Sequence, residues 1–139
     1  MTIKASEAQV GATADPRTFG PLTRTMFVRY AGASGDFNPM HYDDTFATKA
    51  GHPSVFSQGM HQAALLATFA TDWLGPGNVR RFHVRFREQV WPGDVLVCEG
   101  AVTARTERED GVLVTVALTA TRQGGGVAVA GSADFLLEA

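Results

Sequence analysis

Two hydrophobic periods divide the chain, one of three to four residues up to Leu74 and one of two residues after it. Between Val79 and Arg87, Phe82, Val84 and Phe86 alternate with Arg81, His83, Arg85 and Arg87, which predicts a strand with one apolar and one basic face. Pro92-Gly93-Asp94 opens a second strand, Val95 to Arg105, with Leu96, Cys98, Val102 and Ala104 facing inward. Asp110-Gly111 signals a hairpin into Val112 to Arg122, with Val112, Val114, Val116 and Leu118 on one side, and Gly124, Gly125 and Gly126 turn the chain into Val127 to Leu137. Consecutive hairpins make this half antiparallel. Upstream, Gly59 to Leu74 is apolar on nearly every side, the pattern of a helix surrounded by protein, and Gly75 and Pro76 end it. A shorter helix is expected from an N-cap at Thr23 to about Ala31, after an extended piece from Phe19, and another from the Asp43-Asp44 pair to about Ala50. One long buried helix followed by an antiparallel sheet predicts an α+β domain in which the sheet wraps the helix.

Composition narrows the class. At 139 residues the chain is one domain, and 45% hydrophobic with 19% charged residues is the balance of a globular protein. A net charge of -2 argues against a nucleic-acid partner. The single cysteine, Cys98, pairs with nothing internally and reads as a small buried hydrophobe in a reducing compartment. No signal-peptide pattern and no apolar run of membrane-spanning length is present, so the expected location is the cytoplasm, with no membrane partner. Residues 1–16 are small and polar with little periodicity, an arm expected to be loose or to lie along another surface, leaving 17–139 as the folded domain.

The chemistry concentrates between Tyr30 and Ala47. Asp36, Asn38 and His41 fall within six residues, between Gly35, which lets the chain turn, and Pro39, which stiffens it. A carboxylate and an imidazole five positions apart do not share a helix face, but a turn at Asn38-Pro39 lets them converge. Tyr30, Ser34, Gly35, Asp36, Asn38, Pro39, His41 and Ala47 resemble, at matching spacing, the motif of the MaoC-like or hydratase-2 enzymes, the R-specific enoyl-CoA hydratases and 3-hydroxyacyl-thioester dehydratases. Ala33 and Met40 depart from the usual pattern at what look like packing positions. The resemblance extends from Phe19 onward, including the R-F-x-x-x-V-x-P-G-D stretch from Arg85 to Asp94, and the chain is similar in character to small actinobacterial dehydratase subunits acting on carrier-protein substrates.

That resemblance implies a single hot-dog fold over 17–139 and a lyase interconverting trans-2-enoyl and (3R)-3-hydroxyacyl thioesters of coenzyme A or acyl-carrier protein. It implies Asp36 and His41 as the catalytic pair, Asn38 as their assistant, no metal and no cofactor beyond the carrier, and a homodimer or a heterodimer with a related hot-dog chain. Hydration needs a held water, a proton for C2 and stabilisation of charge on the thioester oxygen. For the last, helix-start amides at Ser57-Gln58-Gly59 are suited, and Gly59 stands eighteen residues after His41, where the family's oxyanion glycine lies; a plain helix-start glycine is the other reading. Gln58 replaces the His or Pro often found before that glycine.

Phe37, Phe56, Ser57 and Arg85 are expected to contact substrate. Each has a structural reading too: Phe37 and Phe56, like Phe69 and Trp73, as core, Ser57 as an N-cap, and Arg85, with Arg80, Arg81 and Arg87, as a solvated strand face. His52 and His61 show no metal-ligand spacing with His41, and no nucleophile elbow surrounds Ser57. A hot-dog thioesterase and a non-catalytic partner subunit or acyl-binding module remain the rival readings.

Overall fold

The computed structural model describes residues 2–139, with Met1, the first residue of the expected arm, outside the described residues. In chain order the elements are β1 (Arg17–Phe19), α1 (Arg24–Ser34), a 3-10 turn (Pro39–His41), α2 (Asp44–Lys49), α3 (Gly59–Leu74), a 3-10 turn (Pro76–Asn78), β2 (Val79–Phe86), β3 (Leu96–Arg108), β4 (Gly111–Arg122) and β5 (Val127–Leu137). The strands form one antiparallel sheet in the order β1-β3-β4-β5-β2, which curves around α3 as a hot-dog fold.

Helix ends follow local chemistry. Thr23 accepts a hydrogen bond from Met26 N at the start of α1, a cap worth about 1 kcal/mol, and Gly35 closes the helix at φ 76°. Asp43 caps α2 through Phe46 N. The sheet's inner face is Leu96, Cys98, Val114, Val116, Leu118, Val129, Ala133 and Phe135, all buried against Leu66, Phe69, Ala70 and Leu74 of α3. Each such fully buried large side chain contributes ~1.5–3 kcal/mol of transfer free energy.

Two expectations change in three dimensions, and the two courses open to the arm narrow to one. The alternation in β3 breaks at a bulge between Val102 and Ala104, so Ala104 turns outward and Arg105 takes the inner side opposite Val114. The helix α3 is buried along one side only: Met60, Ala64 and Thr68 face outward, because a single five-stranded sheet curls around one side of a cylinder. The arm is not loose but lies along the molecule, with Ile3 N bonded to Trp73 O, Gly11 N to Val102 O and Val102 N to Ala12 O, and with Ala5 and Ala8 buried. The small side chains that removed its periodicity are what allow this close approach.

Among the described residues no helix is long and apolar enough to cross a membrane. Among the described residues the sheet has two edge strands, the short β1 and the longer β2, each paired on one side only. The β2 edge leaves Phe86 exposed beside Arg81, His83 and Arg85.

Candidate active site

The loop after α1 is folded by its own polar side chains. Ser34 Oγ donates to Tyr30 O (2.7 Å) and accepts from Asp36 N (3.2 Å), Asp36 Oδ1 accepts from Asn38 N (3.3 Å), and Asn38 Oδ1 accepts from Met40 N (3.1 Å), capping the Pro39–His41 turn. These short local bonds reverse the chain within a few residues, as Ser, Asp and Asn do in turns. The outcome is that Asp36 and His41 meet: His41 Nε2 lies 3.5 Å from Asp36 Oδ2. Asn38 serves as the brace of this loop, with its side-chain oxygen committed to the backbone.

The imidazole is held from its other side. His41 Nδ1 is 2.7 Å from Phe56 O, and since a carbonyl only accepts, Nδ1 carries a proton and Nε2 is the ring nitrogen that faces Asp36. Phe56 also sets its ring edge-on to His41, with centroids 5.2 Å apart, and Phe56 N donates to Met40 O. His41 is 7% exposed whereas the Asp36 side chain is 45% exposed, so the pair has one enclosed and one solvent-reachable member.

Three residues beyond Phe56, α3 begins at Gly59. The residue at its N-cap is Gln58, whose side chain makes no cap hydrogen bond, so the first-turn amides are left without a side-chain partner. Gln58 instead donates from Nε2 to Phe27 O (2.8 Å), fastening α1 to the start of α3, and its Oε1 is buried without a partner. A Cβ on Gly59 would come within 3.2 Å of the Phe86 ring. Gly59 borders a cavity of about 280 Å³ whose other walls include Phe56, Ser57, Gln62, Phe86 and Glu88.

The remaining expected residues are distributed unevenly. Ser57 lines the cavity but is not the helix cap: its Oγ is 3.1 Å from His61 Nδ1 and 3.3 Å from Gln62 Oε1, because Gln58 occupies the cap position one residue later. Phe56 lines the cavity and packs against His52 and Trp91, whereas Phe37, 61% exposed, stands outside it beside Asp36. Arg85 lies exposed on β2 and away from the cavity wall, where Arg87 and Glu88 stand instead. Phe69 and Trp73 are core, packed on each other and over Gly100. Asp44, like Asp43, is structural: it receives Arg24 Nη1 (2.6 Å) and Val55 N (3.1 Å), and the Arg24 bond first, with the Val55 amide, holds its carboxyl below the usual range. Burial pushes the Cys98 thiol up to about 12, which keeps it inert. Among the described residues no group of three or more His, Cys, Asp or Glu side chains is placed to hold a metal.

The sequence pattern alone overlooks Gln62, buried beside the cavity. The available signal was a lone amide between Met60 and Ala63 in an otherwise apolar helix. A second overlooked unit is the clamp on the loop that forms the cavity's outer wall. Arg122 Nε binds Asp94 (2.8 Å), Arg122 Nη1 binds Glu88 (3.1 Å), and Asp94 also accepts from Trp91 N (2.8 Å).

Residues 5–123 match the family described as "MaoC like domain". The "(R)-specific enoyl-CoA hydratase" of Aeromonas caviae is 34% identical over 106 residues, covering 75% of this chain and 78% of that protein. "Fatty acid synthase subunit beta" of Gibberella zeae is 36% identical over 90 residues, which are 63% of this chain but 4% of that much longer relative. Among solved structures, R-hydratase PhaJ1 from Pseudomonas aeruginosa superposes with TM-score 0.84 at 29% identity, over 98% of this chain and 86% of that one. The ChsH1-ChsH2 complex from Mycobacterium tuberculosis gives TM-score 0.81 at 25% identity, over 94% and 98%.

The half-buried His61, stacked on Tyr30 at 5.1 Å, supplies a pH prediction. Burial lowers its pKa below 6.5, so the unfolded chain binds the proton first as pH falls. At pH above 6.5 the group is neutral in both states and contributes no slope. Below that value, stability is expected to decline as pH drops toward the folded pKa, and His61→Gln is expected to flatten the decline. Urea unfolding of both proteins from pH 7.5 to 5 checks this; parallel curves would contradict it.

Proposed function

The chain belongs to the MaoC-like domain family, and from that premise we propose that it is a hydro-lyase interconverting trans-2-enoyl and (3R)-3-hydroxyacyl thioesters. The observation that carries this reading is the Asp36–His41 pair, with Nε2 aimed at the carboxylate across 3.5 Å while Nδ1 is tied to Phe56 O. With His41 neutral, both facing atoms are acceptors. A water between them donates one proton to each and leaves its oxygen lone pairs free to attack C3 of the enoyl chain. As the new C–O bond forms, one acceptor takes a water proton, electrons move through C2 to the thioester oxygen, and a proton is then delivered to C2. Gly59, at the uncapped start of a sixteen-residue helix, offers its amide to that oxygen where the negative charge gathers. The absence of a Cβ at Gly59 keeps the approach to this amide open beside Phe86. Phe56, Ser57 and the arginines of β2 and its following loop then meet the acyl thioester and its carrier.

The free β2 edge, the exposed Phe86 and Met60, and a site open on the same side support assembly with a second hot-dog chain, identical or related. Sedimentation at micromolar concentration is expected to show a dimer or larger species, alone or with its partner chain. A fully active monomer would remove this element of the reading.

Gly59→Val is expected to fold, since the nearest atoms to the added group belong to the exposed and mobile-ended Phe86 ring. Its turnover is expected to fall by an amount equivalent to ~3 kcal/mol, the typical loss of an oxyanion donor. Unchanged kinetics in the folded variant would return Gly59 to a purely structural role.

The chemistry itself is tested with Asp36→Asn and His41→Ala. Each is expected to lower turnover of an enoyl thioester ~100- to 10,000-fold with a much smaller effect on binding, and the double variant to be little worse than the poorer single one. Chiral analysis of the wild-type product is expected to give the R alcohol. Near wild-type turnover in folded Asp36→Asn, or an S product, would exclude the mechanism.

A further inference from the structure

The cavity beside Gly59 is lined by Phe56 and Phe86, by the exposed Arg87, Glu88 and Gln89, and by two buried polar side chains. Those two are Ser57 and Gln62, each only 2% exposed. They are ordered by hydrogen bonds. Ser57 Oγ donates toward two acceptors, Gln62 Oε1 at 3.3 Å and Gln58 O at 3.4 Å, since an amide oxygen only accepts. Ser57 Oγ then accepts from His61 Nδ1 at 3.1 Å, which requires a proton on Nδ1 of that ring. The direction of donation therefore runs from His61 through Ser57 to Gln62 Oε1. It leaves the other end of the amide, Nε2, turned away from Ser57. Among the described residues Nε2 has no hydrogen-bond partner, yet it is not one of the sealed, unpartnered atoms of the interior, which are Gln58 Oε1 and Arg105 Nε. Gln62 borders this cavity.

A buried amide N–H pair beside a ligand pocket discriminates between ligands. An all-carbon tail pressed against it strips its water and returns nothing, whereas a tail oxygen at the same depth replaces the lost bond. We propose that Gln62 is a specificity-determining residue that selects acyl thioesters carrying a hydrogen-bond-accepting oxygen, a ketone or ether, in the tail over all-carbon tails of equal length. This rests on the reading of the cavity as the acyl site beside Gly59, and it names the substrate class of that site.

The test uses two series of acyl-CoA thioesters with the full chain. One is all-carbon, and the other has a ketone or ether oxygen scanned position by position along a tail of the same length. Saturated forms are used for binding by titration calorimetry and trans-2-enoyl forms for turnover. At one position in the scan, the oxygenated thioester is expected to bind about tenfold or more tightly than its all-carbon counterpart. Gln62→Leu is expected to abolish that preference and to tighten binding of the all-carbon series. Equal or better binding of the all-carbon chain at every position overturns the inference, as does failure of both series to bind. The wild-type comparison decides the matter alone if Gln62→Leu does not fold. Because binding of saturated thioesters needs no catalysis, a selective protein with no turnover counts against the hydratase reading only. A protein with Asp36-dependent turnover and no oxygen preference counts against Gln62 only.

Discussion

Four consecutive residues, Val55 to Gln58, join nearly every part of the molecule that bears on the site. Val55 N is held by Asp44 of α2, Phe56 N and O by Met40 and His41 of the Asp-His loop, Ser57 N by Val90 O of the loop before β3, and the Gln58 side chain by Phe27 O of α1. The segment runs directly into α3. Since backbone groups in a buried stretch have to be paired, satisfying them here fixes the relative positions of two helices, the Asp-His loop and the cavity wall in one step. The orientation of His41 is thus a by-product of a segment that also serves the core.

This arrangement explains why the candidate acid-base pair is divided between an enclosed and an accessible member. His41 is packed under Phe56 and fixed at Nδ1, so its rotamer and tautomer are set before any ligand arrives. Asp36 sits on the turn above it with its carboxylate partly in water, positioned by backbone bonds from the residues that follow rather than by packing. Preorganisation of this kind lowers the cost of ordering a water between two acceptors. The opposite wall is fixed by charge as well: Arg122 links Asp94 and Glu88, so the loop bordering the cavity is clamped to β4 in addition to its backbone tie to Ser57. Arg122 is partly buried, and the Asp94 bond first, with that to Glu88, raises the guanidinium pKa.

Much of this was legible in the sequence because it is local. The limits of α3 follow from Gly59 and the Gly75-Pro76 pair, the four long strands from their period and turn residues, and the α1 cap from Thr23. The turn that brings Asp36 toward His41 is written in Ser34, Gly35, Asn38 and Pro39, whose hydrogen bonds span only a few residues. What depends on distant partners was decided only in three dimensions. A bulge in β3 reverses Ala104 and Arg105 because its cause is pairing with β4, not a residue signal in β3 itself. The arm packs because its backbone finds Trp73 and Val102, far away along the chain. Ser57 yields the cap position to Gln58 and turns to His61 and Gln62, and Gln62 borders a cavity only because β2 and the loop after it wall off that side. Period and turn chemistry are set by neighbours a few residues apart, whereas the environment of a buried polar group is set by whatever the folded chain places against it.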